Sequence, residues 1–451
     1  MTFSAPLAPL VELLAATPVN CSPELLQQTA KGISTDSRSI KPQEIFLALR
    51  GESFDGHQFV EKVFAQGALI AITDCAVPVD VPQLVVKDTL VAYQTLGRWW
   101  RDQFQIPIVA ITGSVGKTTT KELIAAVLGQ SGPVLKTEAN YNNEIGVPKT
   151  LLQLGPEHKF AVIEMGMRGL GEIACLSQIA RPDLAVITNV GTAHIGRLGS
   201  REAIATAKCE LLAEMPETSL AILNAENPLL LATAQQVWSG QSITYGFNHG
   251  NFRGELVDAH TLKVVDDGQA FRLPLPLPGE HNALNYLAAL AVAKALKLDW
   301  APLQQGLTVT LPDGRAKRYT REPDIILLDE TYNAGPESMA AALRLLRQIP
   351  GTRHIAVLGA MRELGEFGIE LHQQIGALAQ ELQLDQVWVL GEGAEEAALV
   401  SGAGLLPVQQ FSQHEALIAQ LKPLLQAGDR VLFKASHSVG LDKVVEALKS
   451  E

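Results

Sequence analysis

The run Thr112-Gly113-Ser114-Val115-Gly116-Lys117-Thr118-Thr119 holds two glycines, one lysine and four hydroxyl side chains within eight residues. Glycines let backbone N–H groups close on an anion, and a helix N-terminus adds donors that have no partner of their own. In such a nest Lys117 reaches terminal phosphates and the Thr118 hydroxyl holds Mg²⁺. The general phosphate-loop pattern places a glycine five residues before Gly116, where Ile111 stands. Here the first glycine is Gly113, so the loop is tighter than the pattern.

Further groups capable of chemistry follow along the chain. Glu164 closes an apolar run and precedes Met165-Gly166-Met167-Arg168-Gly169. A carboxylate at the carboxyl end of a parallel strand faces the ligand crevice and suits Mg²⁺ beside Thr118; a solvated strand-end acid is the plain alternative. Thr188-Asn189-Val190-Gly191-Thr192-Ala193-His194 repeats that geometry. His194 offers metal ligation or donation to a phosphate, against an ordinary surface histidine. Lys208 sits in a helical pattern beside Ala205, Ala207 and Cys209, where solvent exposure is the default reading. Asn282 and Asn285 open a helix rich in Ala and Leu. Their amides suit an adenine edge, and a helix cap by Asn282 suits the same residue. Arg315 follows Gly314 and is placed to swing onto a phosphoryl group. Asp329 and Asn333 belong to a polar run, 329–338 (DETYNAGPES), that reads in part as a turn and helix cap.

Strands and helices must position these groups. An apolar run from Ile106 to Ile111 predicts a buried strand, and Leu123, Ile124, Val127 and Leu128 mark one face of the following helix. Strands are predicted at 161–164, 184–188 and 220–223 with helices between, the signature of a parallel sheet flanked by helices. Residues 242–275 predict short, more polar strands forming an antiparallel edge, followed by a helix over 282–296. Before this unit, strands are predicted at 44–49, 68–73 and 83–86, and a helix over 90–104. After the turn-rich segment Leu311-Pro312-Asp313-Gly314-Arg315, strands at 325–329, 354–358, 386–390 and 430–433 predict a Rossmann-like unit. The fold class is α/β in three domains, 1–104, 105–311 and 312–451.

Composition narrows the function. At 451 residues the chain exceeds one core of roughly 100–200 residues. Hydrophobic residues at 47% and charged residues at 19% suit a globular enzyme. A net charge of -12 argues against nucleic acid and anionic membranes as partners. Four scattered cysteines without a C-x-x-C fit a reducing compartment. The N-terminal stretch has no Lys or Arg before Lys31, unlike a signal peptide. No apolar run reaches the ~18 residues of a membrane span. A cytoplasmic protein is expected.

Taken together, these segments resemble the Mur ligase family over nearly the whole chain. Residues 34–38 (STDSR) and 46–57 (FLALRGESFDGH) look like the domain that holds the UDP-sugar, with Ser37 and Arg38 as contacts. Residues 112–119 look like the ATP loop. Residues 140–148 (NYNNEIGVP) look like the loop that faces the muramoyl substrate through Asn140, Asn142 and Asn143. Glu164, His194 and Lys208 fall where the family keeps metal-site residues, and there the lysine is carbamylated. Residues 329–338 resemble the branch that adds a dipeptide, as do 353–365 and 434–440. The Asp-Asn-Pro-Arg motif of the branch that adds the third amino acid is absent from the sequence. The family usually has Asn at Gly335, Gly at Ala139 and Arg at His437.

The resemblance implies ATP-dependent amide ligation through an acyl phosphate, with a UDP-N-acetylmuramoyl-tripeptide and D-alanyl-D-alanine as substrates. It implies nucleotide contacts by Gly113, Ser114, Val115, Gly116, Lys117, Thr118, Thr119, Asn282, Asn285, Arg315, Asp329 and Asn333. Two Mg²⁺ ions are expected, one on Thr118 and Glu164, the other on His194 and carbamylated Lys208. Lys117, His194, Lys208 and Arg315 are the expected catalytic set, and the expected state is a monomer. The alternatives are a related ligase of another amino acid, including the folylpolyglutamate type, and a nucleotide-binding protein without ligase activity.

Overall fold

Three large sheets, beside a small two-stranded one, organise the computed structural model, which describes residues 3–51 and 53–449. Glu52, within the 46–57 motif, lies outside the described residues. The first sheet has five strands, Thr17–Val19, Gln83–Val85, Ile70–Thr73, Ile45–Leu47 and Ile33–Ser34 in spatial order. All its pairings are parallel except that of Thr17–Val19. The helix Thr89–Arg101 leads out of it, capped by Asp88, whose side chain accepts from Val91 N.

The central sheet has nine strands. Ile108–Thr112 lies between Phe160–Glu164 and Leu184–Ile187 and is parallel to both. Every residue of these three strands is buried. That explains their unbroken apolar runs, since helices cover both faces of a parallel sheet. From Ile108–Thr112 the chain builds first toward Val134–Lys136 and then back past Leu184–Ile187. The strand order therefore reverses at this point, and a ligand crevice opens at the carboxyl ends there. The predicted antiparallel edge is present with one difference. Gln241–Gly246 continues the parallel run, and the antiparallel pairs begin only between Phe252–Asp258, Thr261–Asp266 and Gln269–Pro274.

The helix Lys117–Gly129 buries Leu123, Ile124, Val127 and Leu128 against Val109 and Ile111 and against the helix Glu280–Ala295. Each such side chain contributes about 1.5–3 kcal/mol of burial. Together they fix the loop in front of that helix.

The third sheet has six strands, with Ile325–Asp329, Asp429–Lys434, Arg353–Gly359, Gln386–Leu390 and Val408–Phe411 parallel, and Lys317–Arg321 antiparallel at one edge. One apolar cluster joins it to the central sheet, with Ile187 and Ile195 on one side and Leu343 and Leu364 on the other. Among the described residues no helix is long and apolar enough to cross a membrane.

Candidate active site

A cleft of about 1070 Å³ lies where strand ends of the central and third sheets meet. Its floor is the loop after Ile108–Thr112. Gly116 adopts φ 83 and forms the left-handed start of the helix Lys117–Gly129. Only glycine takes that conformation freely. Asn189 holds the loop, accepting from Val115 N at 3.0 Å and donating to Val115 O at 3.0 Å. Lys117 folds back, its Nζ donating to Gly113 O at 2.8 Å. Burial lowers its pKa, Arg315 lowers it further, and Glu164 opposes both.

Glu164 ends its strand beside Ile111 and is 2% exposed. Its Oε1 accepts from Asn142 Nδ2 at 2.8 Å. Its Oε2 is buried without a hydrogen-bond partner, and Lys121 Nζ stands 4.0 Å away. Such an oxygen is costly to bury unless something positive meets it.

His194 caps a short helix at φ 67, and its Nδ1 lies 2.7 Å from Oε2 of Glu363. Burial lowers its pKa, Lys117 and Lys208 lower it further, and Glu363 raises it. Lys208 reverses the exposed reading of its surroundings. It is 2% exposed on the helix Arg201–Glu214, and small neighbours let its stem pass inward. No carboxylate among the described residues lies within ion-pair distance of it. Burial, then the charge of Lys117, pushes its pKa well below the usual lysine value. Lys117, Glu164, His194 and Lys208 therefore share one electrostatic neighbourhood.

The third sheet adds cations. The Arg315 guanidinium lies 3.9 Å from the centre of the Tyr332 ring, which also stacks with His437 at 5.9 Å. Lys434 Nζ donates to Asn333 O at 3.0 Å and lies 3.7 Å from Glu330. Burial lowers its pKa, and Glu330 opposes this.

Ser114, Val115, Gly116, Lys117, Thr118, Thr119, Asn140, Asn142, Asn143, Glu164, His194, Asn282, Asn285, Arg315 and Asn333 all line the cleft. Other expected positions do not. Asp329 is buried at its strand end, and its Oδ1 accepts from Thr331 N and Oγ1. That carboxylate caps its own turn and is taken up there. Gly113 contributes its carbonyl to Lys117 rather than a wall of the cleft. Lys208 is buried and is not among the residues that line the cleft. Ser37 and Arg38 belong to the first sheet's loops, where Arg38 pairs with Asp36 at 2.7 Å in solvent. Asn282 does not cap its helix; Gly279 holds that position, and the Asn282 amide donates to Pro278 O at 2.8 Å.

Several lining residues were not singled out from the sequence: Lys434, Tyr332, Glu337, Glu363 and His281. Lys434, Tyr332, Glu337 and Glu363 do fall in the segments 434–440, 329–338 and 353–365 that carry the family resemblance, and Lys434 directly follows the predicted strand 430–433. Ala139 adopts φ 47, a conformation that glycine, usual at this place in the family, adopts without strain. His437 keeps an aromatic face on Tyr332 where the family usually has Arg.

Comparison with known proteins agrees with this architecture. The descriptions "Mur ligase family, catalytic domain", "Mur ligase middle domain" and "Mur ligase, glutamate ligase domain" match residues 29–95, 111–293 and 314–437. A UDP-N-acetylmuramoyl-tripeptide–D-alanyl-D-alanine ligase of Synechocystis sp. is 56% identical over 424 residues, covering 93% of this chain and 92% of that protein. The ligase of the same name from Escherichia coli is 37% identical, over 93% and 94%. Among solved structures, MurF from Acinetobacter baumannii superposes with a TM-score of 0.93 at 32% identity over 100% of both chains. MurF ligase from Thermotoga maritima in complex with ADP gives 0.84 at 28% identity, over 95% and 98%. With matches to all three domains and relatives this similar over nearly its full length, the chain belongs to the Mur ligase family.

Proposed function

We propose that this chain joins D-alanyl-D-alanine to the terminal carboxylate of a UDP-N-acetylmuramoyl-tripeptide, with cleavage of ATP to ADP and phosphate. The observation that carries this reading is the convergence of the phosphate loop, Glu164, His194 and Arg315 on one cleft. The names of its relatives support the substrates, and the ADP complex of a similar ligase supports the nucleotide.

The tripeptide carboxylate attacks the γ-phosphorus of ATP. An acyl phosphate forms and ADP leaves. The dipeptide amine then attacks the activated carbonyl, phosphate departs, and the amine gives up a proton. Two anions must approach each other first, so preorganised positive charge is the main catalytic resource. Lys117 turns from Gly113 O to the terminal phosphates, and Arg315 approaches from the third sheet, braced by Tyr332. Asn285 and Asn282 lie beside the loop for the nucleotide, and Asn333 faces it from across the cleft. Asn140 and Asn143 face the tripeptide, while Ser37 and Arg38 serve the UDP end.

The donor set fits divalent cations. Glu164 presents a buried oxygen without a hydrogen-bond partner, and oxygen donors suit Mg²⁺. Thr118 and Glu164 would hold one ion, His194 and a carbamylated Lys208 a second. Bound Mg²⁺ supplies charge neutralisation on the phosphate oxygens. A buried lysine whose pKa is depressed keeps the neutral amine that carbamylation requires. The enzyme acts in the cytoplasm as a monomer.

Incubation with ATP, the UDP-tripeptide and D-alanyl-D-alanine, followed by mass analysis, tests the reading. It predicts stoichiometric phosphate and UDP-pentapeptide. ATP cleavage without a new amide, or product only with a free amino acid, would overturn it.

A further inference from the structure

Two acids of the third domain reach across to the loop that carries His194. Glu337 Oε1 accepts from Thr192 N at 2.7 Å and from Thr192 Oγ1 at 3.0 Å. Glu363 makes three approaches. Its Oε2 lies 2.7 Å from His194 Nδ1, close but out of line for a hydrogen bond, so that the buried Nδ1 has no hydrogen-bond partner; its Oε1 lies 3.7 Å from Arg197, and its carbonyl accepts from Gly196 N at 3.2 Å. The backbones also touch: a Cβ on Gly196 would lie 2.5 Å from Gly365 N. His194 and Glu363 are both non-glycine residues in the left-handed region, at φ 67 and 65. Side chains rarely adopt that conformation, and where they do it tends to serve a site.

Resting on the reading of His194 as a metal ligand, we propose that Glu363 is a positioning residue supplied by the third domain. Its carboxylate, already within ion-pair distance, turns to accept the Nδ1–H of His194, fixes the tautomer and the ring plane, and leaves Nε2 as the lone pair for a cation. Metal-binding histidines commonly hold their second nitrogen in this way, against a carboxylate or a carbonyl. Here the holding group comes from another domain, whose sheet is joined to the central one through a shared apolar cluster. Correct orientation of the ligand is thereby tied to domain closure.

Mn²⁺ titration of the ADP complex, followed by electron paramagnetic resonance, tests this in the full chain, alongside calorimetric binding of ADP. Glu363→Ala is expected to weaken Mn²⁺ binding by about 10–100-fold, the usual effect of losing such a partner, with ADP affinity in the absence of metal unchanged. Glu363→Gln keeps an acceptor for Nδ1–H and is expected to recover most of that loss. Unchanged Mn²⁺ affinity in Glu363→Ala, with weakened affinity in His194→Ala, overturns the positioning role and spares the metal assignment. Unchanged affinity in His194→Ala overturns both. Equal loss in the Ala and Gln variants also overturns the proposal, since it points to charge at the interface rather than to the acceptor.

Discussion

The side-chain amide of Asn142 donates a 2.8 Å hydrogen bond to Oε1 of Glu164, tying the loop after Val134–Lys136 to the end of Phe160–Glu164. One carboxylate oxygen is thus fixed by a neutral donor, and the other is left buried without one. The pair predicts a graded response. Glu164→Gln removes the charge and should lower phosphate release by on the order of 10²–10³. Asn142→Ala keeps the charge but frees the side chain, and should raise the half-saturating Mg²⁺ concentration about 10–100-fold. Steady-state rates over a Mg²⁺ series check both. A normal Mg²⁺ dependence in Asn142→Ala would remove its orienting role.

Gly116 should tolerate no side chain. At φ 83 an added Cβ would lie 2.9 Å from Asn285 Oδ1, so Gly116→Ala is strained and crowded at once. About 1–3 kcal/mol of nucleotide affinity should be lost, read by calorimetric titration with ATP. Gly129, at the other end of the same helix, is the control. A Cβ there meets nothing within 4 Å, and Gly129→Ala should bind ATP normally.

Lys208 should be dispensable for folding and essential for turnover. Its side chain is buried, and among the described residues no acid pairs with it, a poor stabilising arrangement. Lys208→Ala should lose on the order of 10²–10³ in rate. Added formate or another short carboxylate should restore part of it by standing in for the carbamate. Lys208→Met should match or exceed the wild-type melting temperature in bicarbonate-free buffer. Full activity of Lys208→Ala would defeat the assignment.

The reach of the sequence is clear from these residues. The strand, tight loop and helix around Lys117 are legible because the apolar period changes from a continuous run to a helical face at the glycines. Glu164 and His194 are legible as strand-end groups. Lys208 is not, because small neighbours are equally compatible with a lysine pointing outward or inward. Only the packing of the helix Arg201–Glu214 on the sheet decides, and it buries that face. Asp329 misleads for the opposite reason. A polar side chain at a strand end has two uses, ligand or turn, and Thr331 two residues on satisfies it locally. Glu337 and Glu363 fall in the segments 329–338 and 353–365 that carry the resemblance, but their contacts are not legible there because their partners are far away along the chain. Thr192 and Glu337 are 145 residues apart and meet only across two sheets.

His281 gives a pH-dependent prediction that needs no ligand. Burial, with a smaller push from Lys434, lowers its pKa from 6.5 to about 4. The folded protein therefore keeps the ring neutral down to about pH 4, whereas the unfolded chain protonates it below about 6.5. Between these values the unfolded state binds more protons. Stability from this group is fully present above the unfolded value and is lost as pH falls from about 6.5 toward 4. The ring keeps some contact with solvent, so the loss should be about 1–2 kcal/mol rather than the full value of the shift. Urea unfolding at pH 7.5 and pH 4.5 should show His281→Gln losing less stability than the wild type by that amount. Equal losses in the two proteins would mean that the ring is hydrated well enough to titrate normally in the folded state.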